Sequence, residues 1–267
     1  MMYKSYWNMT HNPFSKDDSK YCYESKDYKE AISRLKFLTD QKGFGLFTGL
    51  PGTGKTYALK TYLDSLNKNL YKIFYTPLST VTIQDFYRNL AYGLDIEPSF
   101  RKAVVFRQIQ ERMISLSKSK KITPIIVLDE AQYLSTGILN DLKIMFNFNM
   151  DACQYAIVVL VGLPQLNDTL IKSVHEAIAQ RIVIHYTFMG MTRTEMDEYV
   201  KHGLSKSGAD INIFQPAALE SLYAGSSGSV RKLNSLISRV LIIGAQNKIG
   251  TIDTETIMIA QNEMNIA

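Results

Sequence analysis

Gly49-Leu50-Pro51-Gly52-Thr53-Gly54-Lys55-Thr56 is the stretch on which the reading of the whole chain turns. These residues satisfy the pattern G-x-x-x-x-G-K-[ST], in which each part has a physical task. Glycines let successive backbone N–H groups turn inward on an anion, and the helix that follows presents its positive end to the same point. The flanks are the required ones. An apolar strand-like run, Gly45-Leu46-Phe47-Thr48, precedes the loop, and a helical segment, Tyr57-Ala58-Leu59-Lys60-Thr61-Tyr62-Leu63, follows it. The stretch predicts a cradle for the phosphates of ATP built from Gly49, Leu50, Pro51, Gly52, Thr53, Gly54, Lys55, Thr56 and Tyr57. Lys55 is placed to reach the β- and γ-phosphates, and the Thr56 hydroxyl to bind Mg²⁺.

Further along, Ile125-Ile126-Val127-Leu128-Asp129-Glu130 reads as a buried strand ending in two carboxylates. Asp129, at the strand tip, suits Mg²⁺ held partly through water. Glu130, one residue on, projects differently and suits a general base for an attacking water. A strand-end pair of acids is often only a solvated turn, but its distance downstream of a phosphate loop favours hydrolysis. The glutamate also separates the chain from metabolite kinases, which exclude water.

Around these motifs, short β-rich apolar runs alternate with helical segments, the pattern of a parallel sheet covered by helices. The expected strands are 44–48, 71–76, 124–129, 155–161 and 182–186. Ile125–Leu128, Ile157–Val161 and Ile182–Ile184 are nearly continuous apolar, as strands buried on both faces are. After Tyr186 four helices are expected. Thr192-Arg193-Thr194-Glu195 is a capping box, Gln215-Pro216 opens the second helix, Gly225 is placed to end it, and Asp253 to cap the last. The fold class is therefore α/β, a P-loop NTPase with a five-stranded parallel sheet and a small helical lid. The expected domains are 1–188, in which 1–40 form an N-terminal extension near the nucleotide, and 189–267.

The bulk properties bound the function. The chain has 267 residues, 46% of them hydrophobic, and a formal charge of +5, which leans modestly towards polyanions. Apolar runs are too short to span a bilayer and the N-terminus lacks the core of a signal peptide, so no membrane role is expected. Cys22 and Cys153 stand outside any metal or redox pattern, which suits free thiols in a reducing cytosol. His11, His175, His185 and His202 show no ligand spacing.

Several further stretches resemble the AAA+ ATPases of the ExeA and TniB/TnsC/MuB groups. These are Asn12-Pro13-Phe14-Ser15, Gly43–Gly49, Asp129-Glu130-Ala131-Gln132-Tyr133-Leu134, Val159–Leu166, Gln180-Arg181-Ile182 and Gly228–Asn234. The resemblance implies that the strand ending at Val161 sits between the P-loop strand and the Asp129 strand. It implies that Arg181 is an arginine finger acting in trans within a homo-oligomer, whether ring or helical filament, and that Arg231 is a lid arginine reaching the same phosphates. Both join Lys55 and Glu130 as expected catalytic groups. One position departs from the family: Leu163, where a polar residue usually orients water, cannot hydrogen-bond through its side chain. Gln165 is the expected substitute, and hydrolysis is expected to be slow or partner-stimulated.

The same resemblance implies an ATP-dependent regulator of transposition that oligomerises on non-specific double-stranded DNA and recruits a transposase of the DDE integrase type. Secretion relatives extend beyond the ATPase with a membrane segment, and the chain's end at Ala267 favours the compact transposition regulators. A secretion ATPase and a helicase loader are the alternatives. Arg101, Lys102, Asn140 and Lys143 are the candidate DNA contacts, with Arg107, Lys118, Lys120 and Lys121 in the wider basic track. Such contacts are sequence-neutral and salt-sensitive.

Overall fold

The computed structural model describes residues 2–15, 23–77, 82–148 and 154–265. Cys22 and Cys153 lie outside them. In chain order the elements are α1 (Met2–Tyr6), α2 (Lys26–Gln41), β1 (Gly43–Gly49), α3 (Lys55–Ser65), β2 (Tyr71–Pro77), α4 (Ile83–Gly93), α5 (Lys102–Ile114), β3 (Thr123–Asp129), α6 (Thr136–Met145), β4 (Ile157–Gly162), α7 (Gln165–Leu170), α8 (Glu176–Ala179), β5 (Ile182–Phe188), α9 (Arg193–Ser207), α10 (Pro216–Ser226), α11 (Val230–Gln246) and α12 (Thr254–Asn265).

The chain divides into two compact units. One comprises Glu30–Gly49 and Lys55–Phe188, and the other Met1–Lys29, Leu50–Gly54 and Met189–Ala267. The first unit is a five-stranded parallel sheet in the order β2-β3-β4-β1-β5. Every residue of β1 and β4 is buried, as is β3 after Thr123. Strands enclosed on both faces favour apolar side chains, which explains the hydrophobic runs Ile125–Leu128 and Ile157–Val161. The strand ending at Val161 does lie between the P-loop strand and the Asp129 strand.

Ile182–Ile184 departs from expectation. It belongs to β5, an edge strand in which half-buried and exposed residues alternate, with Val183 42% exposed. Three apolar residues are too short a run to distinguish a central strand from an edge. Strand β4 also starts later than expected, at Ile157, because Tyr155 and Ala156 are buried before the ladder begins.

The second unit is helical. Thr192 and Glu195 form the expected capping box on α9, Pro216 sits in the first turn of α10, and Asp253 caps α12 by accepting from Thr256 N at 2.9 Å. Gly225, by contrast, lies inside α10; the reversal falls to Ser227 and Gly228, both with positive φ. Residues 1–29 group with this helical unit, whereas Glu30 onward belongs to the sheet unit. The physical anchor of the N-terminal segment is Trp7, 5% exposed, whose indole donates to Leu241 O at 2.8 Å across a core of Leu233, Ile237, Val240 and Leu241. An exposed-looking, aromatic N-terminus gave no periodic pattern from which to predict that docking. No helix among the described residues is long and apolar enough to cross a membrane.

Trp7→Ala is expected to remove a buried ring and a buried hydrogen bond, costing the helical unit about 3–5 kcal/mol. Faster amide exchange along α11 and a lowered thermal midpoint would register the loss.

Candidate functional site

Parallel strands deliver their carboxyl ends to one edge of the sheet, and the α/β unit places its candidate groups there. Gly49 ends β1, Asp129 ends β3, and Lys55 and Thr56 open α3. Asp129 is 5% exposed, a buried carboxylate that must be satisfied by donors. The Thr56 hydroxyl donates to Oδ2 at 3.1 Å, the Tyr75 hydroxyl to the same oxygen at 2.7 Å, and Glu130 N to Oδ1 at 2.9 Å. Burial, the hydrogen bond to Asp129 and its negative charge together push the Tyr75 phenol above its ordinary pKa. Tyr75 therefore stays a neutral donor throughout the physiological range.

Tyr75 was not among the sequence candidates. It pairs with Val127, two positions before Asp129 in register, so its side chain falls beside that carboxylate on the same sheet face. Only the sheet order reveals that proximity.

Lys55 Nζ donates to Gly49 O at 2.7 Å, holding the ammonium against the loop. Tyr57 follows in the first turn of α3, partly exposed at 41%. The loop backbone is of the kind only glycine supplies at low cost: Gly52 has φ +81° and Gly54 φ +99°. Around Gly54 an added Cβ would meet no described atom within 4 Å, so there is open space beside the loop at that point. Thr53 closes the turn by donating to Leu50 O at 2.9 Å. A cationic amine, a helix N-terminus and a hydroxyl beside a buried carboxylate suit a polyphosphate with Mg²⁺, the metal falling to Thr56 and Asp129.

In the helical unit, which includes Leu50–Gly54, the start of α11 lies against the loop. Ser229 caps α11 and donates its hydroxyl to Pro51 O at 3.2 Å, while Arg231 N approaches Gly52 O at 3.4 Å. The contact is so close that a Cβ on Gly52 would fall 2.3 Å from Ser229 Oγ and 2.8 Å from Arg231 Cβ. Arg231 and Lys232 are both exposed in the first turn of α11, two cations where the helix macrodipole disfavours them.

Arg181 lies at the other end of the sheet. Its carbonyl accepts from Phe44 N at 3.3 Å, beside the start of β1, and its guanidinium donates to Lys143 O at 2.8 Å in the last turn of α6. Phe44 and Gly49 are five residue steps apart along β1, about 17 Å at ~3.3 Å per residue. That is beyond the reach of an arginine side chain, so Arg181 is remote from the phosphate loop of its own sheet.

At the departure noted at Leu163, the structure uses other polar groups. Gln165 is exposed at the start of α7, and among the described residues its side chain makes no hydrogen bond. Gln132 instead bridges the gap, donating to Glu130 Oε2 at 2.7 Å and accepting from Leu163 N at 3.0 Å. Asn167, one turn beyond β4, donates to Thr48 Oγ1 at 3.1 Å, immediately before the loop. Gln132 lay inside the quoted Asp129–Leu134 stretch, two residues past Glu130, and that adjacency was the available signal.

The basic candidates differ in exposure and in pairing. Arg101 and Asn140 are exposed, Lys143 is half-buried, and Lys102 is engaged within the chain, ion-paired to Asp141 at 2.6 Å and lying over the Tyr87 ring.

Comparison with known proteins agrees with this geometry. Residues 38–170 match the family model described as AAA domain. General secretion pathway protein A of Aeromonas hydrophila is 30% identical over 246 residues, covering 90% of this chain and 44% of that protein. ATP-dependent target DNA activator B of Escherichia phage Mu is 24% identical over 123 residues, 46% of this chain and 37% of that protein. The chain thus spans less than half the length of either relative. Among solved structures, Cdc6p from Pyrobaculum aerophilum superposes with a TM-score of 0.67 at 15% identity, covering 94% of this chain and 70% of that one.

Gly52→Ala is expected to weaken ATP binding by about tenfold or more. The substitution imposes an αL penalty of ~1–3 kcal/mol, and each ~1.4 kcal/mol is a decade of affinity. Titration calorimetry with ATP checks it.

Proposed function

We propose that this chain, with its AAA domain and P-loop NTPase fold, is an AAA+ ATPase that uses ATP to control head-to-tail assembly on duplex DNA. In this reading it is a target-DNA adaptor that recruits a DDE-type transposase. The observation that carries the assembly is the remoteness of Arg181 from its own phosphate loop. An arginine so placed serves catalysis only at the loop of a second copy, where it stabilises charge developing in the transition state. Likeness to the target DNA activator of phage Mu supports the DNA role.

In this mechanism Lys55 and the loop N–H groups hold the phosphates, and Glu130 takes the proton of the attacking water. Thr56 and Asp129 are the residues that would hold Mg²⁺, which would supply neutralisation of phosphate charge. Arg231, at the start of α11 in the same unit as Leu50–Gly54, is the further proposed phosphate contact beside that loop. ATP bound where two copies meet favours the assembled state by its differential affinity, and hydrolysis relaxes it. Arg101, Asn140 and Lys143 are the proposed DNA contacts; Lys102, held by Asp141, contributes least.

A second reading, a secretion-associated ATPase, is favoured by the 30% identity with General secretion pathway protein A. Binding of a labelled non-specific duplex with ATP, ADP or no nucleotide, with particle size followed in parallel, separates the two. ATP-dependent, salt-sensitive binding with growth of large particles is the expected result, and absence of DNA binding with ATP, with ADP and without nucleotide would sink the DNA reading. Arg181→Ala is expected to lower kcat for ATP by about 10³-fold while leaving nucleotide affinity nearly unchanged.

A further inference from the structure

Gln132 is the side chain that occupies the place left by Leu163, and its two hydrogen bonds have different consequences. It sits in the short 3₁₀ turn Ala131–Tyr133, directly after Glu130, and is half-buried. One end of its amide donates to the Glu130 carboxylate at 2.7 Å, and the other accepts from Leu163 N at 3.0 Å, at the turn between β4 and α7. The approach depends on Gly162. A Cβ at that position would lie 2.7 Å from Gln132 Oε1 and 3.3 Å from its backbone N, so any larger residue pushes the amide away.

Glu130 itself has φ 57° and ψ 37°, a left-handed conformation that a glutamate rarely adopts. Held in that backbone state, on an exposed turn, its carboxylate has several rotamers open to it. A neutral amide donor selects one of them and leaves the negative charge that a base requires, which a lysine or arginine partner would offset. We infer that Gln132 is a positioning residue for Glu130. It fixes the aim of that carboxylate and ties it to the β4–α7 turn, so that movement of the turn is passed to the group facing water. The inference rests on the assignment of Glu130 as the general base.

Two substitutions separate positioning from a merely structural bond. Gln132→Glu keeps an acceptor for Leu163 N but removes the donor to Glu130; Gln132→Ala removes both. In the nucleotide-free protein, amide exchange at Leu163 is expected to stay slow in wild type and Gln132→Glu, and to accelerate in Gln132→Ala. Steady-state hydrolysis, with and without duplex DNA, is expected to fall about 10- to 100-fold in kcat for both variants with KM for ATP within about twofold. That range is a lost hydrogen bond to a charged group expressed as a rate. Gly162→Ala, which displaces the amide without altering it, is expected to lower kcat in the same way. Wild-type kcat in Gln132→Glu or in Gln132→Ala would overturn the inference. Glu130→Gln is the parallel test of the underlying assignment. If it hydrolyses ATP normally, the general-base reading fails and the inference with it. If it is inactive while both Gln132 variants turn over normally, only the inference fails.

Discussion

A buried carboxylate in need of donors governs the organisation of the site. Asp129 ends the interior strand β3, between β2 and β4, with 5% of its surface exposed, and leaving such a charge unpaired would be costly. Its donors come from three different places: Thr56 at the start of α3, Tyr75 near the end of β2, and the backbone of Glu130. Satisfying Asp129 therefore fixes the phosphate loop's helix, the neighbouring strand and the turn carrying Glu130 against one another. Two further polar bonds, from Leu163 N to Gln132 and from Asn167 to Thr48, extend the same edge along β4 and β1.

The sheet makes this possible because its strands are parallel and their hydrophobic runs leave no other arrangement for β1 and β4. With both faces enclosed, side chains cannot carry polar function along the strand, and function is confined to strand ends. The helical unit meets a different constraint. Its core closes around α11, and Trp7 completes that core from the far end of the chain.

Much of the fold was legible in the sequence because its signals are local and strong. The loop Gly49–Thr56, the run Ile125–Asp129 and the capping box Thr192–Glu195 each carry a pattern with one structural meaning. Less legible were features set by tertiary neighbours. Val183 reads as core but lies on an edge, since edge or centre is a property of what packs beside a strand. Gly225 reads as a helix stop, yet the helix runs through it and reverses at Ser227. In the site, Lys55, Thr56, Asp129 and Glu130 were visible as motif residues. Tyr75 and Asn167 were not, because their neighbours arise from strand order and from a turn of helix beyond a strand. Gln132 was quoted as part of a motif without a role, since a role needs the Leu163 amide to be near.

The separation of Arg181 from Gly49 gives the molecule a polarity. One end of the sheet offers an arginine and the other a phosphate loop, so the two ends cannot substitute for each other. With Arg181 acting in trans as proposed, an open head-to-tail array of n copies completes only n − 1 sites, whereas a closed ring completes all n. In the open array one terminal loop always lacks an arginine and the opposite terminus presents an arginine with no loop. Turnover per subunit then rises with array length towards a plateau, and the two termini differ in nucleotide lifetime, giving growth and shrinkage a built-in direction.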